Sequence, residues 1–182
     1  SEWIEAFLES TGEDRPSVVA GHSLGGGFSA SYASDFPGKI DRVFLLSSVG
    51  GKVNSSNDLA QTRSALEWSL SLPLDLLVSQ ASSSHVASIV GSGIIQLIRN
   101  PIGLWRLSRI ARNYQICEEL TRITQVGAKI FVVGAVSDKV ITRDSVIHLA
   151  KCASVEPVWV TGTHSWMSTH PQNFAEVIAN CH

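Results

Sequence analysis

A serine flanked by glycines stands between an apolar run and a helix-like stretch: Ser17-Val18-Val19-Ala20, then Gly21-His22-Ser23-Leu24-Gly25-Gly26, then Phe28 to Phe36. A G-x-S-x-G turn makes chemical sense only between a strand and a helix, where the serine is held in a strained backbone conformation and the chain passes close on both sides. Gly21 and Gly25 are expected to remove side chains that would collide there. The strain presents the serine hydroxyl at the carboxyl end of a sheet. The first amides of the following helix, and the positive end of its dipole, are aimed at the same spot, so an oxyanion would be stabilised.

The chain has 182 residues, enough for one domain with a sizeable core, and 44% hydrophobic with 16% charged residues is an ordinary globular balance. The formal net charge is −2, and the aromatic residues are not interleaved with lysine or arginine, so no nucleic-acid partner is implied. The apolar stretch from Val86 to Ile98 is broken by Ser88, Ser92 and Gln96. It falls short of the roughly 20 residues that cross a bilayer, so no transmembrane segment is expected. Cys117, Cys152 and Cys181 are odd in number, widely spaced and free of a CxxC pattern, which leads to an expectation of reduced, buried thiols. The histidines show no ligand spacing, so neither a metal nor an organic cofactor is implied. A cytoplasmic location follows as the default.

Trp3, Ile4, Phe7 and Leu8 share one helical face, so the chain opens inside an amphipathic helix. A strand over Ser17 to Ala20 follows, then a small-residue helix to Phe36 that Pro37-Gly38 ends, then a doubly buried strand over Val43 to Leu46. Between Gly50 and Val126 helical periodicity is broken by Pro73, Gly91, Gly93 and Asn100-Pro101, which predicts four or five short helices and no strand. The alternating plan returns with a strand over Lys129 to Val133, a helix over Thr142 to Lys151 capped by Thr142, a strand over Val155 to Val160, and a last helix led by His170-Pro171. Strands alternating with helices imply a parallel sheet and an α/β fold.

A serine hydroxyl is a weak nucleophile at neutral pH and needs a general base, which in turn needs an acid to hold its tautomer. Asp138 lies just past the strand Lys129 to Val133, and His164 just past the strand ending at Val160. Parallel strands bring their carboxyl ends to one edge, so Ser23, Asp138 and His164 should gather there. Asp144 is the nearest competitor for the acid but falls in a helix's first turn, and His170 competes with His164 but leads into the last helix. His148 and His85 read as structural or surface residues, and His22 as a packing or hydrogen-bonding residue of the elbow.

GHSLGG at 21–26, GAVSD at 134–138 and GTHSW at 162–166 come in the order Ser, Asp, His, and in this the chain resembles the α/β-hydrolase family. The resemblance implies a Ser23 nucleophile, a His164 base, an Asp138 orienting acid, and the amide of Leu24 as one oxyanion donor. It also implies a mostly parallel sheet whose visible strands match the last four of eight. Residues 1–50 and 127–182 would then be hydrolase core, and 51–126 a helical cap insertion. In that family the second oxyanion amide follows the third strand, which has no counterpart here, and losing one such donor typically costs about 10²- to 10³-fold in rate. The chain is accordingly expected to be the carboxyl-terminal part of a longer protein. Its apolar first strand would be covered by a missing segment, a partner or a second copy.

Residues 76 to 117 contain Arg99, Arg106, Arg109 and Arg112 but no acid, with the last three recurring along one side of a helix and Leu104, Leu107, Ile110 and Ala111 supplying apolar contacts. A solvated basic face, or a site for an anionic ligand or headgroup, fits this stripe. Leu74, Leu76, Leu77, Ile94, Ile95, Ile98 and Trp105 are candidates for a greasy pocket. The resulting expectation is a serine hydrolase acting on a small hydrophobic ester, lipid or thioester. A carbon–carbon bond hydrolase, a cofactor-free haloperoxidase and a non-catalytic ligand receptor are the alternatives.

Overall fold

In the computed structural model, which describes residues 2–12, 17–51 and 99–181, the doubly buried strand expected at Val43 to Leu46 is the centre of the molecule. The elements run α1 (Glu2–Thr11), β1 (Val18–His22), α2 (Leu24–Asp35), β2 (Arg42–Leu46), α3 (Pro101–Asn113) and α4 (Cys117–Gln125). They continue with β3 (Lys129–Ala135), α5 (Arg143–Ala153), β4 (Val158–Val160), α6 (Trp166–Thr169) and α7 (Pro171–Asn180). The four strands form one sheet in the order β1-β2-β3-β4. Every pairing is parallel, with His22 opposite Leu46, Leu46 opposite Val133, and Ala135 opposite Val160.

Alternation along β2 and β3 divides the core in two. Val43, Leu45, Ile130 and Val132 point to one face, where α2, α4 and α5 cover them with Ala30, Tyr32, Leu120, Ile123, Val146 and Leu149. Phe44, Leu46 and Val133 point to the other, against Trp166, Val177 and Phe174 of α6 and α7. The rings of Phe44 and Phe131 stack across the strands at 4.7 Å. Side chains of period two buried on both sides explain why these strands read as unbroken apolar runs.

Helix α1 is tied to this core through Glu5, whose carboxylate accepts from the Tyr32 hydroxyl at 2.7 Å and pairs with Lys39. Burial, together with that carboxylate, pushes the Tyr32 phenol up to about 12. Thr142 caps α5 as expected, accepting from the Ser145 amide. Strand β4 is shorter than the sequence pattern: Ser154 adopts the left-handed conformation with φ 57°, and the Val155 amide returns to the Ala150 carbonyl to close α5. Pro157, which has no amide hydrogen for the ladder, then precedes the strand.

Residues 52–98, with His85 and the pocket candidates Leu74, Leu76, Leu77, Ile94, Ile95 and Ile98, lie outside the described residues. The part of the middle segment that is described holds α3 and α4. Leu107 and Ile110 of α3 do not supply buried contacts: they are 45% and 51% exposed, as is about half of Trp105 (52%), while Ala111 is buried. Arg106 and Arg109 are exposed beside them, and the Arg109 guanidinium lies over the Trp105 ring, so α3 presents both apolar and basic side chains outward. No described helix is long and apolar enough to cross a membrane.

The expectation of reduced thiols is corrected. Cys117 and Cys152 form a disulfide, their Cα atoms 5.2 Å apart across the α4–α5 contact, while Cys181 stays free and its burial pushes its thiol pKa up. Linear spacing does not reveal such a pair, because the two helices that carry it meet only through packing in the core. The bridge closes a sequence separation of 35 residues, for which chain-entropy arguments give about 2–4 kcal/mol. Reduction should therefore lower unfolding stability by about that amount. Urea denaturation of the oxidised and reduced chain, followed by circular dichroism, measures it.

Candidate active site

The strand-to-helix turn after β1 holds Ser23 at φ 55°, ψ −121°, a conformation that side chains other than glycine rarely adopt. Neighbouring backbone fixes it there: the Ser23 amide donates to the Leu46 carbonyl at 3.0 Å, and the Ser23 carbonyl accepts from Gly26 and Val49 at 3.1 Å each. Ser23 is thus bonded to the end of β2 as well as to α2. Leu24 is the first residue of α2, so its amide is among those with no acceptor inside the helix.

The glycines divide differently from the sequence expectation. A Cβ on Gly21 would stand 2.2 Å from the Gly25 carbonyl oxygen, so the collision expected at Gly21 is real. Among the described residues a Cβ on Gly25 would meet nothing within 4 Å; Gly25 contributes its backbone carbonyl to the contact with Gly21. The tight positions on the helix are instead Gly26, against the Ser48 hydroxyl, and Gly27, against the Tyr114 ring.

Asp138 and His164 are brought together as the spacing predicts. His164 Nδ1 donates to Asp138 Oδ2 at 2.9 Å, with both side chains nearly fully buried. Asp138 Oδ1 accepts from the amides of Val140 and Ile141, each at 2.8 Å, so the carboxylate is held by three donors and has little freedom to rotate. That bond assigns the Nδ1–H tautomer to His164 and leaves Nε2 as its basic nitrogen. His22, next to the serine, donates through Nε2 to the His164 carbonyl at 2.9 Å and rests against its ring, with centroids 4.6 Å apart. The elbow and the histidine loop are therefore in direct contact, and His22 is a hydrogen-bonding residue of the elbow, as expected.

The competitors fall elsewhere. Asp144 is in the first turn of α5, and His170 is at the start of α7 with its Nδ1 against the Thr169 hydroxyl. His148 sits with its Nδ1 3.6 Å from the sulfurs of both Cys117 and Cys152. The one signal for this in the sequence is the four-residue spacing of His148 and Cys152, which puts both on one helical face. Ser47 has no sequence signal. It is fully buried at the carboxyl end of β2 with φ 41°, and its amide donates to the Val133 carbonyl at 2.8 Å.

Comparison with known proteins bears on the fold that carries these residues. A family model described as the alpha/beta hydrolase fold matches residues 1–92. No curated protein sequence matches the chain. Among solved structures, a candidate lipase from Acinetobacter baumannii AYE is 20% identical with a TM-score of 0.70, covering 98% of this chain and 64% of that one. A bacterial membrane phospholipase A is 18% identical with a TM-score of 0.75, covering 98% of this chain and 60% of that one. The meta-cleavage product hydrolase of Pseudomonas fluorescens IP01 is 13% identical with a TM-score of 0.70, covering 97% and 68%. The chain thus spans between 60% and 68% of the length of these structures, and at such identities the likeness is one of fold.

The glycine geometry is directly testable. Gly21→Ala should destabilise the chain by about 1–3 kcal/mol, since backbone must move to admit the methyl. Gly25→Ala should be neutral or stabilising by up to about 1 kcal/mol, since it adds helix propensity in open space. Thermal unfolding of the two variants compares them, and equal losses in both would contradict this division of the elbow.

Proposed function

The chain belongs to the α/β-hydrolase family, and on that premise we propose that it is a serine hydrolase that cleaves a hydrophobic carboxylic ester, lipid or thioester through an acyl-enzyme. The observation that carries the reading is the buried hydrogen bond from His164 Nδ1 to Asp138 Oδ2, in a loop packed against a serine elbow strained at φ 55°. In this mechanism Ser23 Oγ attacks the acyl carbon while His164 Nε2 takes its proton. Asp138 keeps the imidazole in the required tautomer and stabilises its charged form. The Leu24 amide supports the oxyanion at the start of α2. Collapse of the tetrahedral intermediate expels the alcohol or thiol, protonated by His164, and water activated by the same base then releases the acid.

The ester or lipid preference rests on composition in the middle segment, read as a cap over 51–126, and on the apolar and basic residues exposed on α3. Among the described residues β1 has only β2 as a neighbour. A further strand, from the same protein or from a partner, would cover that edge and supply the second oxyanion amide. A lipase and a phospholipase among the fold's relatives are compatible with such substrates. The meta-cleavage relative keeps carbon–carbon hydrolysis as the second reading, because the same triad can serve it.

Fluorophosphonate labelling tests the reading without knowledge of the substrate. Labelling of the protein should be lost in Ser23→Ala and fall sharply in His164→Ala. Hydrolysis of p-nitrophenyl esters should fall by about 10⁴-fold or more in either variant. Activity that survives both substitutions would overturn the triad. A protein that binds hydrophobic ligands saturably, with neither labelling nor turnover, would be a receptor on this fold.

A further inference from the structure

Outside the catalytic cluster, one group of three metal-ligating side chains stands out among the described residues: Cys117, His148 and Cys152, whose ligand atoms all lie within 4.8 Å of one another. We propose that these residues form a redox-gated zinc site, which takes one Zn²⁺ when a dithiol reductant opens the Cys117–Cys152 disulfide.

The ligands come from two elements packed together. His148 and Cys152 are one turn apart on α5, on one face, and Cys117 is the first residue of α4 opposite them. Zinc with bonds of about 2.1 Å to nitrogen and about 2.3 Å to sulfur, in tetrahedral geometry, needs nitrogen–sulfur edges of about 3.6 Å and a sulfur–sulfur edge of about 3.8 Å. Both nitrogen–sulfur edges already have that length, since His148 Nδ1 lies 3.6 Å from each sulfur. Only the sulfur–sulfur edge must open, which breaking the disulfide bond itself allows. His148 Nδ1 is thus already placed as the nitrogen vertex facing both sulfurs.

Surroundings and chemistry suit a thiolate site. All three residues are half-buried, so a reductant and an ion can reach them while much of the solvent is kept out. Cys117 stands at the first position of α4, where the positive end of the helix dipole favours a thiolate. Glu118 follows in the same turn and adds negative charge that attracts a cation, while Glu119 pairs with Arg122 at 3.7 Å. The steps balance. A dithiol gives two electrons and two protons to the bridge and becomes a disulfide itself; the two new thiols then release their protons as Zn²⁺ binds both sulfurs and His148 Nδ1, with water completing the coordination. The α4–α5 contact is thus held covalently under oxidising conditions and by metal under reducing ones.

The test uses the whole protein, oxidised or reduced with a phosphine that is then removed, equilibrated with zinc and freed of excess ion. One zinc per reduced chain, about none in the oxidised chain, and two protons released per ion are expected. With Co²⁺ in place of Zn²⁺, a thiolate-to-metal charge-transfer band should appear. Cys152→Ser should abolish binding and His148→Ala should weaken it at least 10-fold, while Cys181→Ser should leave it unchanged. Zinc should also raise the unfolding temperature of the reduced wild-type chain. The proposal is overturned if the reduced chain binds no zinc, if the oxidised chain binds as much, if Cys152→Ser retains the ion, or if a chain unfolded by reduction is not restored by zinc. None of these readouts depends on hydrolase activity.

Discussion

Everything at the site depends on one residue being held where its backbone does not prefer to be. A non-glycine residue at positive φ costs on the order of 1–3 kcal/mol, and Ser23 is held at φ 55°. What keeps it there is β2. The Ser23 amide donates to Leu46 and its carbonyl accepts from Val49, so two backbone bonds of about 1 kcal/mol each join the strained residue to the last residue of β2 and to the segment that follows it. The end of β2 is in turn anchored by Phe44, Leu45 and Leu46, all essentially inaccessible to solvent. Strain at the serine is therefore sustained by burial two residues away, and it would relax if the sheet loosened.

The same sheet explains why residues far apart in sequence converge. Parallel pairing places the ends of β1, β3 and β4 along one edge, and each of the three residues proposed as a triad lies within four residues of such an end: Ser23 after His22, Asp138 after Ala135, His164 after Val160. Contact between His22 and His164 then spans the sheet across the intervening strands, joining the first loop to the last. A ring on the residue before the serine has this reach because alternate side chains of β1 point to opposite faces.

Much of this was legible in the sequence, for physical reasons that also mark the limit. Gly21 to Gly26, Asp138 and His164 stand at strand ends, and strand ends can be located from apolar runs of period two or of doubly buried type. Thr142 and Pro171 announce helix starts through local hydrogen bonding and a fixed φ, which are properties of a few adjacent residues. What was not legible depends on tertiary contact. Gly25 and Gly26 are indistinguishable as letters, yet among the described residues one has no neighbour at its Cβ position and the other meets the Ser48 hydroxyl. The partnership of Cys117 with Cys152 follows from how α4 lies on α5, and the exposure of Leu107 and Ile110 from which face of α3 the rest of the chain covers. A helical repeat shows that a face exists and does not show what it meets.

The position of Asp138 is a property of α5 more than of its own loop. Its carboxylate is fixed by the amides of Val140 and Ile141, and these lead directly into Thr142, the cap of α5. Ordering the three loop residues 139–141 costs about 3–6 kcal/mol of backbone entropy. The three bonds to an ionised group, at about 1.5–3 kcal/mol each, are of a size to offset it. That balance holds only while the loop's far end stays in place. Leu149, Ala150 and Ala153 bury α5 against the sheet, and Cys152 bonds it to α4, so the helix forms a fixed support from which the acid is presented to His164. Val140 and Ile141 are themselves buried in that core while Lys139 stays exposed, so the loop that holds the Asp138 carboxylate shares the rigidity of the packing beneath it.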